Sequence, residues 1–250
     1  PSAIAFDKNG DLIVADSGSH TIKRIDRKGT ISIVAGTDGQ FGDVDGDALS
    51  AKFNAPIGVA VRDDGAIVVA DTYNDKIKLI SNGVVTTLAG SSRGLADGSA
   101  TNAMFNTPCS VAMWHNGRIV VADTLNSRIR VVEPDGTTWT LAGGGNADTV
   151  DGTLLEAAFY RPAAVAINAD GEIFVADGNI VRAIRNRTFP VVETITKARR
   201  GFVDGPPGAA TFNRISCLAL KSDQDLVIAD SDNAAVRVLS SEAVSKEMPT

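Results

Sequence analysis

Histidine and cysteine are nearly missing from this chain: among 250 residues there are two of each, His20, His115, Cys109 and Cys217. Zinc centres draw most of their ligands from these two residue types, so little is left from which to build one, and no metal or other cofactor is expected. The two thiols lie far apart in sequence and read as small buried hydrophobes, not as a disulfide framework, which leaves the redox compartment open. No Gly-x-Ser-x-Gly turn is present to raise a nucleophilic serine. No apolar run approaches the roughly 18 residues that would cross a membrane as a helix, so no membrane partner is expected. Basic charge is in deficit, with 24 Lys and Arg against 30 Asp and Glu, a net charge of -6 and a pI near 4.9. That balance argues against a general phosphate-binding surface and hence against nucleic acid. The chain opens on Pro1 without an initiator Met or a basic-then-apolar leader, so a fragment or processed product is expected.

What the chain has instead is a repeat. Val-Ala-Asp or a near copy ends at Asp16, Asp71, Asp123, Asp177 and Asp230, in steps of 55, 52, 54 and 53 residues. From Pro1, Pro56, Pro108, Pro162 and the equivalent Ile215 to the next of these aspartates is always 15 residues. Asp-Gly pairs at Asp45, Asp97, Asp151 and Asp204 each precede a phenylalanine by eight residues, at Phe53, Phe105, Phe159 and Phe212. All length variation falls between a Val-Ala-Asp aspartate and the following Asp-Gly. Fixed spacing marks packed structure and variable spacing marks exposed loops.

Within a repeat the apolar pattern gives strands. In the second copy, Ile57 to Val61, Ile67 to Ala70, Lys76 to Ile80 and Val84 to Ala89 are four short runs separated by Asp64-Gly65, Thr72-Tyr73-Asn74-Asp75 and Asn82-Gly83 turns, the pattern of an antiparallel meander. The second run is continuously apolar in every copy, as in a strand buried on both faces. A sheet of some 50 residues cannot cover both its faces alone, so such copies pack face to face around a centre. The fold class expected is all-β: a β-propeller of four-stranded blades, five of them visible over residues 1-241, with six if an N-terminal part is missing. Residues 242-250 form a tail in which Ala243-Val244 offers a weak last outer strand. The alanine at Ala5, Ala60, Ala112, Ala166 and Ala219 suits first strands that converge where space is short.

Strand direction puts the five aspartates and the long connectors on one face, called the top, and the first turn of each blade below. A ring of carboxylates suggests a metal. Because each aspartate is followed by Ser, Thr or Gly in the same context, capping of its own turn is the better explanation. The phenylalanines are expected to be buried staples between adjacent blades. His20 falls in a top turn and His115 in a bottom turn, too far apart across strands of about five residues to share an ion.

The strings Pro56-Ile57-Gly58-Val59-Ala60-Val61 and Val69-Ala70-Asp71-Thr72-Tyr73-Asn74, and the connector Thr87-Leu88-Ala89-Gly90, Asp97-Gly98, Ala103-Met104-Phe105-Asn106-Thr107-Pro108, resemble the NHL repeat. Their likeness is to bacterial NHL arrays and to proteins that join a thioredoxin-like domain to an NHL propeller. The resemblance implies a propeller whose general role is protein interaction. Amidating lyases on related propellers hold zinc with several histidines, and propeller lactonases use a Glu, Asn and Asp set in the central channel; the inner strands here carry mainly Ala, Val, Ile, Ser and Cys.

Between Asn179 and Arg214 the charge is locally basic, seven cations against Glu193 and Asp204. One account puts several of these arginines on water-facing outer strands of the fourth blade; the other makes Arg199, Arg200 and Phe202 a patch for an acidic partner. The reading that results is a non-catalytic interaction or scaffold module. Its top face meets another protein or another domain of the same chain through positions where the repeat pattern breaks: Tyr73, Asn74, Leu125, Asn126, Arg199, Arg200 and Phe202. A propeller lactonase or lyase, or RNA binding through the fourth-blade patch, is the alternative.

Overall fold

The computed structural model describes residues 1-185, 187-221 and 225-240. The architecture is all-β, five antiparallel sheets of the β-propeller type. The first blade is β1 (Ala3–Phe6), β2 (Leu12–Asp16), β3 (Thr21–Ile25) and β4 (Ile31–Ala35). After a connector strand β5 (Gly46–Asp47) come β6 (Pro56–Val61), β7 (Ile67–Asp71), β8 (Lys76–Ser81) and β9 (Val84–Ala89). The third blade is β10 (Pro108–Met113), β11 (Ile119–Asp123), β12 (Arg128–Val132) and β13 (Thr138–Ala142). Connector strand β14 (Gly152–Thr153) leads to β15 (Pro162–Ile167), β16 (Ile173–Asp177), β17 (Ile180–Arg185) and β18 (Val191–Thr194). The fifth blade contributes β19 (Ile215–Lys221), β20 (Asp225–Asp230) and β21 (Ala235–Leu239). Ala243-Val244 lies outside the described residues. Helix is confined, among the described residues, to four single 3-10 turns: Thr72–Asn74, His115–Gly117, Thr124–Asn126 and Ser231–Asn233.

Register follows the turns. Tight turns with a left-handed residue, Gly65 at φ +89° or Asn82 and Gly83 at +51° and +76°, join neighbouring strands directly, so each sheet is a meander in chain order. The connectors then return and add to the outer edge of the blade they lead into. Gly46 and Asp47 pair with Val85 and Val84, Gly152 and Thr153 pair with Val192 and Val191, and Gly98 bridges Thr138. Such an added edge covers backbone groups that would otherwise invite another strand.

The chain divides into two compact units, residues 1-126 with 130-140, and 127-129 with 141 onward. In the first, Ile13, Ala15 and Ile22 pack with Val59, Ile67 and Val69 around Phe53. The opposite side of the same second sheet, Ala60, Val68, Ala70 and Ile77, packs with Val111, Ile119 and Val121 around Phe105. In the second unit Ala164, Ala166, Phe174 and Ala176 meet Leu218, Leu226 and Ile228 around Phe212. The continuously apolar second strands are buried along their whole length in β7, β11 and β16. Ala60 and Ala166 are buried as expected, but Ala219 and Cys217 are exposed, so Cys217 is no core hydrophobe. Apolar side chains are also exposed on the first blade, at Ile4 and Phe6, and on the fifth, at Val236 and Val238.

Candidate functional site: the connector end of the blades

In the second, third and fifth blades the loop after the second strand reaches back to the connector that precedes the blade. Tyr73 N donates to Asn54 O (3.0 Å), Leu125 N to Asn106 O (3.1 Å) and Ser231 N to Arg214 O (2.8 Å). Aspartate loops and connectors therefore share one end of the blades, and the first turns, such as 62-65 and 114-117, stand at the other.

In four of the five blades the Val-Ala-Asp aspartate accepts connector amides where the sequence suggested those of its own turn. Asp71, Asp123 and Asp230 accept hydrogen bonds from connector amides 17 residues earlier, Asn54 N (2.7 Å), Asn106 N (2.8 Å) and Asn213 N (3.0 Å), and Asp177 accepts from Tyr160 N and Arg161 N. Each also faces a cation on the third strand. Arg130 bonds Asp123 at 2.8 Å and the Asp-Gly aspartate Asp97 at 2.6 Å; Arg182 lies between Asp177 (3.4 Å) and Asp151 (2.8 Å); Arg237 lies between Asp230 (3.2 Å) and Asp204 (2.6 Å). Lys78 takes the same place among Asp43 (2.8 Å), Asp45 (3.0 Å) and Asp71 (3.6 Å). The side chains of Lys78, Arg130 and Arg182 are fully buried.

The connector phenylalanine closes each lock from the core side. Lys78 Nζ is 5.7 Å from the ring centre of Phe53, and the guanidinium carbons of Arg130, Arg182 and Arg237 are 5.1, 4.6 and 4.3 Å from those of Phe105, Phe159 and Phe212. All four rings are buried, as expected of staples, and each also carries a cation over its ring. A desolvated cation is tolerable here because two carboxylates, carbonyls such as Met104 O and Ala96 O on Arg130, and a ring face surround it. The signal was present in the sequence as a basic residue seven positions after the aspartate in four repeats and five after it in the fourth, at Lys23, Lys78, Arg130, Arg182 and Arg237.

Electrostatics follow from this geometry. Burial pushes the Asp71 carboxyl up to about 6, against the hydrogen bonds from Asn54 N and Asn74, because Lys78 stands nearer its other partners. Burial raises Asp123 and Asp177 as well. Burial acts against the charged forms of Asp43 and Asp45, but hydrogen bonds from Lys76 and Lys78 to Asp43, and from Lys78 and Thr87 to Asp45, hold both below the ordinary 3.8. Burial would likewise lower the Lys78 ammonium, yet its bonds to Asp43 and Asp45 hold it above 10.5. These carboxylates are engaged in pairs by protein cations and do not converge on a shared point. Among the described residues no group of three or more His, Cys, Asp or Glu is placed to hold a metal ion.

The seven residues singled out from sequence separate by role. Tyr73, Leu125 and Phe202 are exposed at the connector end, at 57%, 50% and 61%. Arg199 and Arg200 are exposed too. Asn74 and Asn126 do not mark breaks in the repeat: Asn74 Nδ2 donates to Gly42 O and Asp71, Asn126 Nδ2 to Gly94 O and Asp123, and Asn233 repeats both bonds with Gly201 O and Asp230. Their amides clamp the connector. His20 serves the scaffold at the position equivalent to Asp75: its Nδ1 accepts from Ala55 N at 3.0 Å, as Asp75 accepts from Thr107 N. The fourth-blade basic stretch is also reassigned. Arg182 is buried in its lock, Arg185 pairs with Glu172, and the exposed Arg187 and Arg214 pair with Glu193 and Asp232, which leaves Lys197, Arg199 and Arg200 as its exposed cations outside ion pairs among the described residues.

The NHL repeat profile matches residues 1-25. The chain is 36% identical over 135 residues to human NHL repeat-containing protein 2, covering 49% of this chain and 19% of that one. It is 31% identical over 178 residues to human NHL repeat-containing protein 3, covering 68% of this chain and 46% of that one. It spans less than half the length of these curated relatives. Among solved structures, a Bacteroides thetaiotaomicron protein of unknown function superposes with a TM-score of 0.73 at 19% identity, over 95% of this chain and 58% of that one. A putative gluconolactonase superposes at 0.59 and 14% identity, over 95% and 75%, a likeness of fold. With five repeats of matching strand pattern and connector, this chain belongs to the NHL-repeat family of β-propellers.

Proposed function

We propose that this chain is a non-catalytic interaction module that meets another protein, or another domain of its own polypeptide, through the connector end of its blades. The observation that carries the reading is the set of exposed apolar side chains on loops that are themselves tied down by buried ion pairs. In the first unit these are Phe41, Tyr73 and Leu125, exposed at 68%, 57% and 50%; in the second they include Tyr160 and Phe202. Aromatic anchors presented on a rigid frame lose little entropy on binding, which is the economy of a recognition surface. Arg199 and Arg200 beside Phe202 favour a partner carrying acidic residues. Lactonase and lyase propellers share the fold at 12% to 15% identity, a level that transfers no catalytic residue.

A photoreactive amino acid at position 73 or 125 of the full-length polypeptide, irradiated in its own cells, should give a discrete adduct with one protein or with a remote segment of the same chain. The same probe at position 64, on the opposite end, is the control. Equal adducts from both ends, or none from 73 and 125, would remove the proposal. Arg199→Glu/Arg200→Glu should abolish binding of a short Asp- and Glu-rich peptide; loss of oligo-RNA binding and not of peptide binding would favour the nucleic-acid alternative.

A further inference from the structure

The end of the blades opposite the connectors holds a cleft of about 290 Å³ between the first turns of the second and third blades, within the first compact unit. Its lining is Arg62, Asp63 and Asp64 from one turn and Met113, Trp114, His115, Asn116 and Gly117 from the other.

The third-blade turn departs from the repeat where it meets this cleft. The first turns of the first four blades share a backbone frame: the first residue's N–H bonds the carbonyl four residues on, at Asp7 to Asp11, Arg62 to Ala66, Trp114 to Arg118 and Asn168 to Glu172. In the first and fourth blades the first residue is Asp7 or Asn168, whose side-chain oxygen accepts amides of its own turn. Trp114 has no oxygen with which to do this. It places an indole on the cleft instead, with the His115 ring 4.0 Å from it and inclined by 49°.

A second layer positions the pair. Glu133 accepts Arg118 Nε on both oxygens (3.0 and 2.9 Å) and Trp139 Nε1 (3.0 Å), and Arg118 Nη1 reaches 3.4 Å from His115 Nε2. Across the cleft Arg62 pairs with Asp64 at 3.0 Å. The chain's two tryptophans, 114 and 139, are thus joined on a single blade through the Glu133 carboxylate, the Arg118 guanidinium and the His115 ring. An aromatic platform held by an outer layer of hydrogen bonds is an arrangement that pre-organises a ligand site.

The lining also selects a ligand class. Asp63 and Asp64 oppose phosphates and carboxylates, while Arg62 opposes a cation. The lining combines carboxylate and amide acceptors with guanidinium, imidazole and amide donors, beside the indole and the Met113 side chain. Hydroxyls, which donate and accept at once, suit such a rim, and the C–H face of a pyranose suits the indole. The volume is at the small end for ligand sites and fits one ring better than a long chain.

We propose that this cleft binds a neutral saccharide ring, with Trp114 as the stacking platform and Arg62, Asp64 and His115 as hydroxyl partners. The site is independent of the partner surface at the other end.

The test is saturation-transfer NMR and calorimetry with glucose, N-acetylglucosamine, maltose and cellobiose, each against the intact protein. At least one should bind saturably. Trp114→Ala should weaken it about tenfold or more, and Trp114→Tyr less. Tyr73→Ser, at the opposite end, should bind as the parent does, and thermal unfolding checks that each variant is folded. Absence of saturable binding by all four sugars would overturn the proposal. So would equal binding by Trp114→Ala, or binding of glucose 6-phosphate or choline where the neutral sugars fail.

Discussion

The Arg182 guanidinium carbon lies 4.6 Å from the centre of the Phe159 ring, and neither side chain reaches solvent. The arginine comes from the third strand of its blade and the ring from the connector before it, so the contact ties the fixed-length part of the connector to a rigid sheet. Asp151 and Asp177 hold the same arginine from two further directions.

Removing one member of that lock exposes the others to burial without a partner. Phe159→Ala should cost about 3 to 5 kcal/mol, and Arg182→Met a similar amount by leaving Asp177 buried and uncompensated. A double-mutant cycle by chemical denaturation should give a coupling of about 0.5 to 3 kcal/mol. Simple additivity would mean that the ring and the cation do not stabilise each other.

Asn126 provides a test of the connector clamp. Asn126→Ala removes donors to Gly94 O and Asp123 Oδ2 and should cost about 1 to 3 kcal/mol, because a buried carboxylate oxygen loses a partner. Hydrogen exchange should quicken over residues 91-105 and stay unchanged in the second strand of the same blade. Uniform quickening would point to a general loss of stability without a local clamp.

The Asp71 carboxyl sets a pH dependence with a defined sign. It titrates near 6 in the folded chain against an ordinary 3.8, so between those values the folded state binds more protons than the unfolded one. Its contribution to stability therefore falls as pH rises through that window and is constant above it. Relative to Asp71→Asn, the parent should lose about 1 to 3 kcal/mol of its advantage between pH 4 and 7. The depressed Asp43 and Asp45 act oppositely, and their contribution is lost as pH falls below about 4. A difference between parent and variant that grows with pH would refute the raised value.

Gly90 allows a backbone test. Its φ is +104°, and a Cβ there would stand 2.7 Å from Asp75 O and 3.0 Å from Lys76 Cα. Gly90→Ala should therefore destabilise by more than about 1 kcal/mol, whereas Gly83→Ala, with open space around its Cβ, should cost less. Equal melting temperatures for the two variants would show that the backbone yields at position 90.

Much of this was legible beforehand because it is local. Alternation of apolar runs with Asp-Gly and Asn-Gly turns marked out the four strands of each of the first four repeats, and the second-copy strands fall within about one residue of their expected limits. The invariant spacing of Phe53, Phe105, Phe159 and Phe212 from their Asp-Gly pairs marks them as buried staples, and all four rings are buried. Such signals depend on periodicity and turn chemistry within tens of residues, which a chain carries in its order alone.

Roles set by contacts between distant residues were not legible in that way. Ser or Thr after an aspartate suggests a self-capped turn, yet Asp71 and Asp123 accept amides 17 residues upstream, because the returning connector brings donors there. Arg182 counted as one charge in a basic stretch, and only packing decides that it is buried between two carboxylates and a ring while Arg199 and Arg200 face water. Charge and composition say how many ions a chain has. Which of them meet, and which are left for a partner, is decided by the desolvation that tertiary packing imposes.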